Sequence, residues 1–198
     1  ILAAPAPYAA PAAYYFPNAA RMHAIEVLKG SSQVQYGPFT TGGAVNMVST
    51  PIPNRFTAGL RTSFGSYNTF NAYTYLGNDT KHLGYVVEYL RYQSKGFRRD
   101  EPDERTGFYR NDIVGKLRWH TSDKASTSQA LELKLGFANE HSDETYVGLS
   151  EADFATRPYY RYRGAQMDEM RTKHFQSALT HYISFNNKLK ITTSLYYN

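Results

Sequence analysis

The stretch "ALELKLGF", residues 130–137, alternates without a break: Leu131, Leu133, Leu135 and Phe137 are apolar, and Glu132, Lys134 and Gly136 between them are not. Successive side chains of an extended chain point to opposite faces, so this period of two describes a β-strand with one apolar and one polar side. The same pattern governs "NDIVGKLRWH", residues 111–120, where Ile113, Gly115, Leu117 and Trp119 oppose Asp112, Lys116, Arg118 and His120, with Val114 the exception. In residues 56–65, Phe56, Ala58, Leu60 and Phe64 share one face while Thr57, Gly59, Arg61 and Ser63 share the other. Residues 69–76, 83–92, 172–185 and 188–197 alternate less strictly, with Tyr on both faces, and bring the predicted strands to seven.

The links between these strands are uneven. "GSYN" is followed by "GNDTKH", "QSKGFRRDEPDERTGF", "TSDKASTS", a run from Glu140 to Met170, and "NNK", so that from the second link onward short alternates with long. In an antiparallel meander alternate links lie at the same end, which places tight turns at one end and long loops at the other. That asymmetry marks an outer-membrane barrel, and the strand lengths suit a tilted crossing of about 9 to 11 residues. A soluble sandwich, with shorter strands and less regular links, is the competing architecture.

Composition narrows the function classes. The chain of 198 residues has 18 Tyr and 11 Phe yet a mean hydropathy of -0.56, an aromatic and polar mixture that suits alternating strands rather than a Leu/Ala-rich helical core. The net charge is +5, but Lys and Arg are interleaved with 17 acidic residues and form no basic stripe, which argues against a nucleic-acid partner. Cysteine is absent and the six histidines occur singly at 23, 82, 120, 141, 174 and 181, so neither a Cys-ligated metal nor an HExxH site is available. No apolar run approaches the ~20 residues of a membrane-spanning helix. The apolar start "ILAAPAPYAAPAAYYF" is interrupted by Pro5, Pro7 and Pro11 and lacks a basic leader, so it is read as the interior of a longer protein and not as a signal peptide.

Ahead of the strands, "AIEVLKGSSQVQYGPFTTGGAVNMVSTPIP" sets glycines and a proline between two apolar segments. No Gly-Lys-Ser/Thr follows, and the glycine spacing does not fit a dinucleotide fingerprint, so phosphate binding is disfavoured against a structural turn. The stretch closely resembles the C-terminal part of the plug domain of TonB-dependent outer-membrane receptors, whose pattern is filled here by Glu26, Val27, Gly30, Ser31, Ser32, Tyr36, Gly37, Gly42, Gly43 and Asn46. The position commonly Arg in that family is Lys29, and a polar position after Y-G-P is Phe39. "SDETYVGLSEADFATRPYYRYRGAQMDEM" and "PAPYAAPAAYYFP" resemble an extracellular loop and the plug's apical loop of the ferric dicitrate branch.

The resemblance implies a mainly β chain in two parts: residues 1–53 as the C-terminal part of a plug, and residues 54–198 as about the first seven strands of a 22-stranded antiparallel transmembrane barrel. It implies an outer-membrane receptor, not an enzyme, that takes up a ferric chelate with energy delivered by TonB through a region outside this chain. Iron enters as part of the cargo and no resident cofactor is expected. An anionic chelate wants cationic and hydrogen-bonding groups, and the candidate ligand residues are Tyr8, Tyr14, Phe39, Arg98, Arg99, Tyr159, Tyr160, Arg161 and Arg163, with Arg105, Arg157, Tyr146 and Tyr162 in the same loops. Lys29 is expected to keep the charge that the family's Arg brings to barrel carboxylates, and Gly30, Gly37, Gly42 and Gly43 are expected to let the plug backbone lie against the wall. Arg61, Glu88, Lys116, Arg118, Glu132 and Lys134 are expected on the lumen face. Other readings are a receptor for another cargo such as cobalamin or a glycan, a barrel phospholipase using His120 and Ser128, and a soluble β-rich adhesin or binding module.

Overall fold

The computed structural model describes residues 16–30, 43–99, 106–122, 125–185 and 189–197. Among them the chain is mainly β and its strand ladders are antiparallel. β1 (Met22–Lys29) pairs with β2 (Gly43–Ser49) as a two-stranded ribbon. β3 (Thr57–Gly65), β4 (Thr69–Asp79), β5 (Leu83–Ser94), β6 (Phe108–His120), β7 (Thr127–Asp143), β8 (Glu169–Phe185) and β9 (Leu189–Tyr197) form one sheet in which every strand pairs with its neighbours in sequence. The sheet is open, with β3 and β9 at its edges.

All seven expected strands are present, and most run further than the alternation indicated. β7 and β8 reach 17 residues each, because their ladder continues from Phe137↔Phe175 through Asn139↔Lys173 and His141↔Arg171 to Asp143↔Glu169. Backbone hydrogen bonds do not depend on side-chain polarity, so strands end where pairing ends and not where hydrophobic alternation ends. Links at 66–68, 95–107 and 144–168 lie at one end of the sheet, and those at 80–82, 121–126 and 186–188 at the other, as the link lengths required.

The long link 144–168 carries a helix that the pattern did not predict, α1 (Glu151–Thr156). Ser150 caps it, its Oγ accepting from the Asp153 backbone N–H at 3.2 Å while donating to the Asp153 carboxylate at 2.9 Å. This is a serine N-cap, and the Ser150 N–H itself donates to the Tyr162 hydroxyl at 3.1 Å. The turn between β3 and β4 is equally local: in the three-residue link Tyr67 and Asn68 both adopt positive φ, 58° and 52°, and Thr69 N donates to Ser66 O at 3.1 Å.

Register sorts the side chains into two faces. Leu60, Leu76, Val87, Ile113, Leu117, Trp119, Leu131, Leu133, Leu135, Phe137, Phe175, Leu179, Ile191 and Leu195 all point one way and are all exposed. The opposite face carries Arg61, Glu88, Lys116, Arg118, Glu132 and Lys134, the set expected there, together with the buried Val86, Leu90, Asp112 and Val114. Val114 is therefore no exception to a solvated face: it lies on the covered side, beneath the chain described next.

An apolar face this broad far exceeds the few hundred Å² that soluble monomers tolerate, and each edge strand leaves a row of unpaired N–H and C=O groups. Residues 1–198 expressed alone are accordingly expected to aggregate in detergent-free buffer. A monodisperse monomer with a sharp cooperative melting transition, measured by sedimentation and calorimetry, would overturn this expectation.

Candidate functional site

The polar face of the sheet is filled by two short segments that flank the β1–β2 ribbon. The first begins with "FPNAAR", residues 16–21, where the Asn18 side chain accepts from the Ala20 N–H at 2.8 Å and closes a 3-10 turn over residues 19–21. That turn aims Arg21 at the sheet. The Arg21 side chain is 1% exposed, with Nε donating to Asp112 Oδ2 at 3.2 Å and Nη1 lying 3.9 Å from Glu88 Oε2. Glu88 accepts a hydrogen bond at 2.6 Å from the Tyr73 hydroxyl, which in turn takes one from Thr50 Oγ1 at 3.1 Å. The wall also reaches for the backbone of this segment. Arg61 donates to Ala20 O at 3.0 Å and Arg110 to Phe16 O at 2.5 Å.

The second segment, residues 50–53, follows β2. Lys116 Nζ donates to Thr50 O at 2.7 Å, and Ile52 is buried against the sheet. Gly77 and Gly84 make room for it: a Cβ at Gly77 would stand 2.8 Å from Pro53 Cδ, and one at Gly84 would stand 2.9 Å from Ile52 Cγ2. Among the described residues, glycines of the sheet supply this close approach. Gly30 instead has φ +73° with open space around its Cα, a conformational need, and Gly43 passes against Leu28 O of its own ribbon. Gly37, Gly42 and Tyr36 lie outside the described residues.

Of the remaining motif residues, Glu26 and Asn46 are brought together across the ribbon, Asn46 Nδ2 donating to Glu26 Oε2 at 2.8 Å. Lys29 is exposed, and the cation buried between the sheet's carboxylates is Arg21, which the sequence reading missed. No periodicity singles out one Arg in a short loop; the Asn immediately before the turn was the available signal.

At the end of the sheet that bears the long links, the β5–β6 and β7–β8 loops meet. Arg99 N donates to Tyr159 O at 2.8 Å and Arg161 N to Arg99 O at 3.0 Å, a single parallel bridge between Arg99 and Tyr160. Five predicted ligand residues, Arg98, Arg99, Tyr159, Tyr160 and Arg163, so come into one neighbourhood, with Arg99, Tyr159 and Arg163 exposed. Arg161 takes a different role from the one expected. It is 2% exposed, and its Nη2 donates to the backbone carbonyls of Glu144, Ala165 and Asp168, pinning both ends of the long loop. Tyr8, Tyr14, Phe39 and Arg105 lie outside the described residues.

Two aromatic residues join this cluster unannounced. Tyr67, Phe97 and Tyr159 form an edge-to-face series, with centroids 6.4 and 6.2 Å apart, that crosses three links, and each ring is about half exposed. Nearby, the Arg157 guanidinium sits 4.2 Å over the Tyr160 ring and bonds Asp153 at 3.3 Å. The Tyr162 hydroxyl, Ser150 and Arg157 hold the Asp153 carboxyl below the usual carboxylate range. A depressed pKa contributes order that is present above the ordinary carboxylate range and lost as pH falls through the lowered value. Protease cutting within residues 150–163 is therefore expected to stay constant on mild acidification and to rise only once Asp153 protonates.

His120, Ser128 and Asp79, the residues nearest to a hydrolase arrangement, line one cavity, with no hydrogen bond between His120 and Ser128. His120 places Nε2 2.9 Å from Asp79 Oδ1 and Nδ1 3.0 Å from Thr121 O, so both ring nitrogens face acceptors other than Ser128. Comparison with protein-family models finds no match to this chain, and comparison with solved structures finds none.

Removing one partner of a buried ion pair leaves uncompensated charge, here on both Glu88 and Asp112. Arg21→Ala should therefore loosen residues 16–30 by about 3 to 5 kcal/mol. Arg21→Lys should recover only part, because an ammonium lacks the planar fork. Limited proteolysis of the full-length protein across a urea series reads this directly: wild-type resistance in Arg21→Ala would show the contact to be dispensable.

Proposed function

We propose that this chain is part of a TonB-dependent outer-membrane receptor for a ferric chelate, with residues 1–53 ending its plug and residues 54–198 beginning its barrel. One observation carries the reading: an open antiparallel sheet turns a continuous apolar face outward and holds an N-terminal segment on its polar face through buried charge. A lipid-facing wall that encloses a plug needs both faces at once, whereas a soluble module would have to cover the apolar one. The plug-like motif in the sequence supports the same assignment, as does the placement of all long links at one end. On this reading the outer membrane is the location, TonB the energising partner and a ferric siderophore or ferric citrate the cargo.

Transport of this kind breaks no bond in the cargo. The chelate binds at the long-loop end, and force applied from the inner membrane must undock residues 16–21 and 50–53 from the wall. Most of those contacts are hydrogen bonds and ion pairs, which water can take over as they break, while Ile52 and Pro53 add a small apolar patch. The exposed cations Arg99 and Arg163 are assigned to the chelate's negative charge, with Arg98 beside them, while Arg161 keeps the loop in shape.

The series Tyr67, Phe97 and Tyr159 favours a second reading, a cargo presenting a planar or apolar ring to a half-exposed aromatic surface. Uptake of radiolabelled ferric citrate by cells carrying the full-length protein separates the two. Arg99→Ala with Arg163→Ala should weaken an anionic chelate about ten-fold or more, since hydrogen bonds to charged groups contribute roughly 1.5 to 3 kcal/mol each. Undiminished uptake in that variant, with loss on Tyr67→Ala and Phe97→Ala, would move the assignment to the aromatic cargo.

A further inference from the structure

The two segments seated on the polar face are held by groups that neighbour one another. On that face β6 presents Arg110, Asp112, Val114 and Lys116 in order, and across the β5–β6 ladder Glu88 pairs with Val114. Glu88 is thereby a diagonal neighbour of both Asp112 and Lys116, at the spacing of about 7 to 8 Å that a long side chain can bridge. In the docked arrangement Arg21 enters from residues 16–21 to meet the two carboxylates, while Lys116 forms no ion pair with Glu88 and donates instead to Thr50 O at 2.7 Å.

Glu88 is only half satisfied. It is fully buried, and its Oε1 accepts from the Tyr73 hydroxyl at 2.6 Å, but its Oε2 has no hydrogen bond among the described residues and Arg21 Nη1 stands 3.9 Å away. A buried carboxylate oxygen without a donor is a position that a second donor can fill. Lys116 is the wall cation placed to fill it. Across the β6–β7 ladder Lys116 stands opposite Lys134, and like charges directly opposite repel. The acid on that side, Glu132, lies opposite Arg118 and has Lys134 next on the same face of its own strand, so it keeps cations beside it when Lys116 moves. The other acids of this face are engaged: Asp79 with Arg118 and His120, and Glu140 with Arg110.

We infer that Lys116 is an exchangeable cation: when residues 16–21 and 50–53 leave the wall, its ammonium passes from Thr50 O to Glu88 Oε2 and replaces the charge that Arg21 withdraws. The inference rests on the reading that these segments undock during transport. Removing one member of a buried ion pair is unfavourable because it leaves the other charge uncompensated, and the transfer removes that obstacle at Glu88. Arg110, which gives up Phe16 O in the same event, stands next to Asp112 on the polar face of β6. The two docking contacts are thus coupled through the wall: release of Thr50 frees the cation that eases release of Arg21. Lys116 touches no cargo and acts as a positioning residue.

Hydrogen exchange of the full-length protein in detergent, read by mass spectrometry on peptides covering residues 16–30 and 44–56, reports both contacts. Lys116→Met keeps the apolar stem and removes the charge. Exchange at 44–56 is expected to rise, because Thr50 O loses its donor. Exchange at 16–30 is expected to fall about ten-fold, because the undocked form now lacks a charged hydrogen bond at Glu88. A side chain that only supports the fold would raise both. Lys116→Arg, which keeps the charge, should hold 16–30 at the wild-type rate. Unchanged or faster exchange at 16–30 in Lys116→Met overturns the proposal. If that variant fails to fold, as judged by heat-modifiable gel migration, Arg21→Ala decides the matter: exchange at 44–56 must rise as Lys116 leaves Thr50 for Glu88, and an unchanged rate overturns the proposal. Migration of the wild type separates this inference from the receptor reading. With the opposite shifts present and migration absent, the barrel reading falls and the cation transfer stands; with migration intact and the shifts absent, the cation transfer alone falls.

Discussion

A strand can present only two faces, and in this protein the two are committed to incompatible surroundings. The backbone ladder from β3 to β9 fixes which side chains share a side, and a slip of one residue at any pair would send Leu131 to Phe137 inward and Glu132 and Lys134 outward. Everything else depends on that register. The polar side gains enough charge to hold a separate piece of chain, and the apolar side is left facing whatever the sheet is embedded in.

The contact between Arg21 and the wall follows from this division. Glu88 and Asp112 sit on neighbouring strands on the polar face, flanked by Val86, Leu90 and Val114, where an isolated carboxylate would be costly. A guanidinium between them, with the Tyr73 hydroxyl bonded to Glu88, makes the burial tolerable. Such an arrangement adds little net stability compared with an apolar core, but it specifies where the segment must sit. The fit of Ile52 and Pro53 over Gly84 and Gly77 adds a steric requirement to the electrostatic one, so the segment is located twice.

Much of the fold was legible in the sequence because alternation is a long-range statistical signal: eight residues of "ALELKLGF" carry it without help. Strand ends were not legible, since Asn139, His141 and Asp143 pair through backbone alone. The ends of the β1–β2 ribbon were legible only as a motif, and the roles within that motif shifted. Lys29 was expected to meet the wall carboxylates and Arg21 does so, because the deciding factor is the 3-10 turn that orients residue 21, and a three-residue turn leaves almost no trace in composition. In the loops, the structure brings Arg98, Arg99, Tyr159 and Tyr160 near one another, but residue type could not separate an exposed Arg163 from a buried Arg161. That distinction depends on whether loop carbonyls converge on the side chain, which no local pattern encodes. Tyr67 and Phe97 went unnoticed because each is a single aromatic residue in its link and acquires meaning only from the other.

The nearest-neighbour order of the sheet also has a temporal side. Each strand from β4 onward finds its partner in the strand made just before it, so the sheet can assemble in the direction of synthesis with only short loops to close, apart from the β5–β6 and β7–β8 links. Arg21 and Asp112, by contrast, are 91 residues apart, and Asp112 is in position only when β6 has joined β5. Loop closure over that distance cannot be rewarded earlier, so residues 16–21 wait while the surface they bind is built. Amide protection followed during refolding would register this as late protection at Arg21 relative to β4 and β5. Residues 16–21 are thus made before β5 and β6 but acquire their place only after those strands have paired.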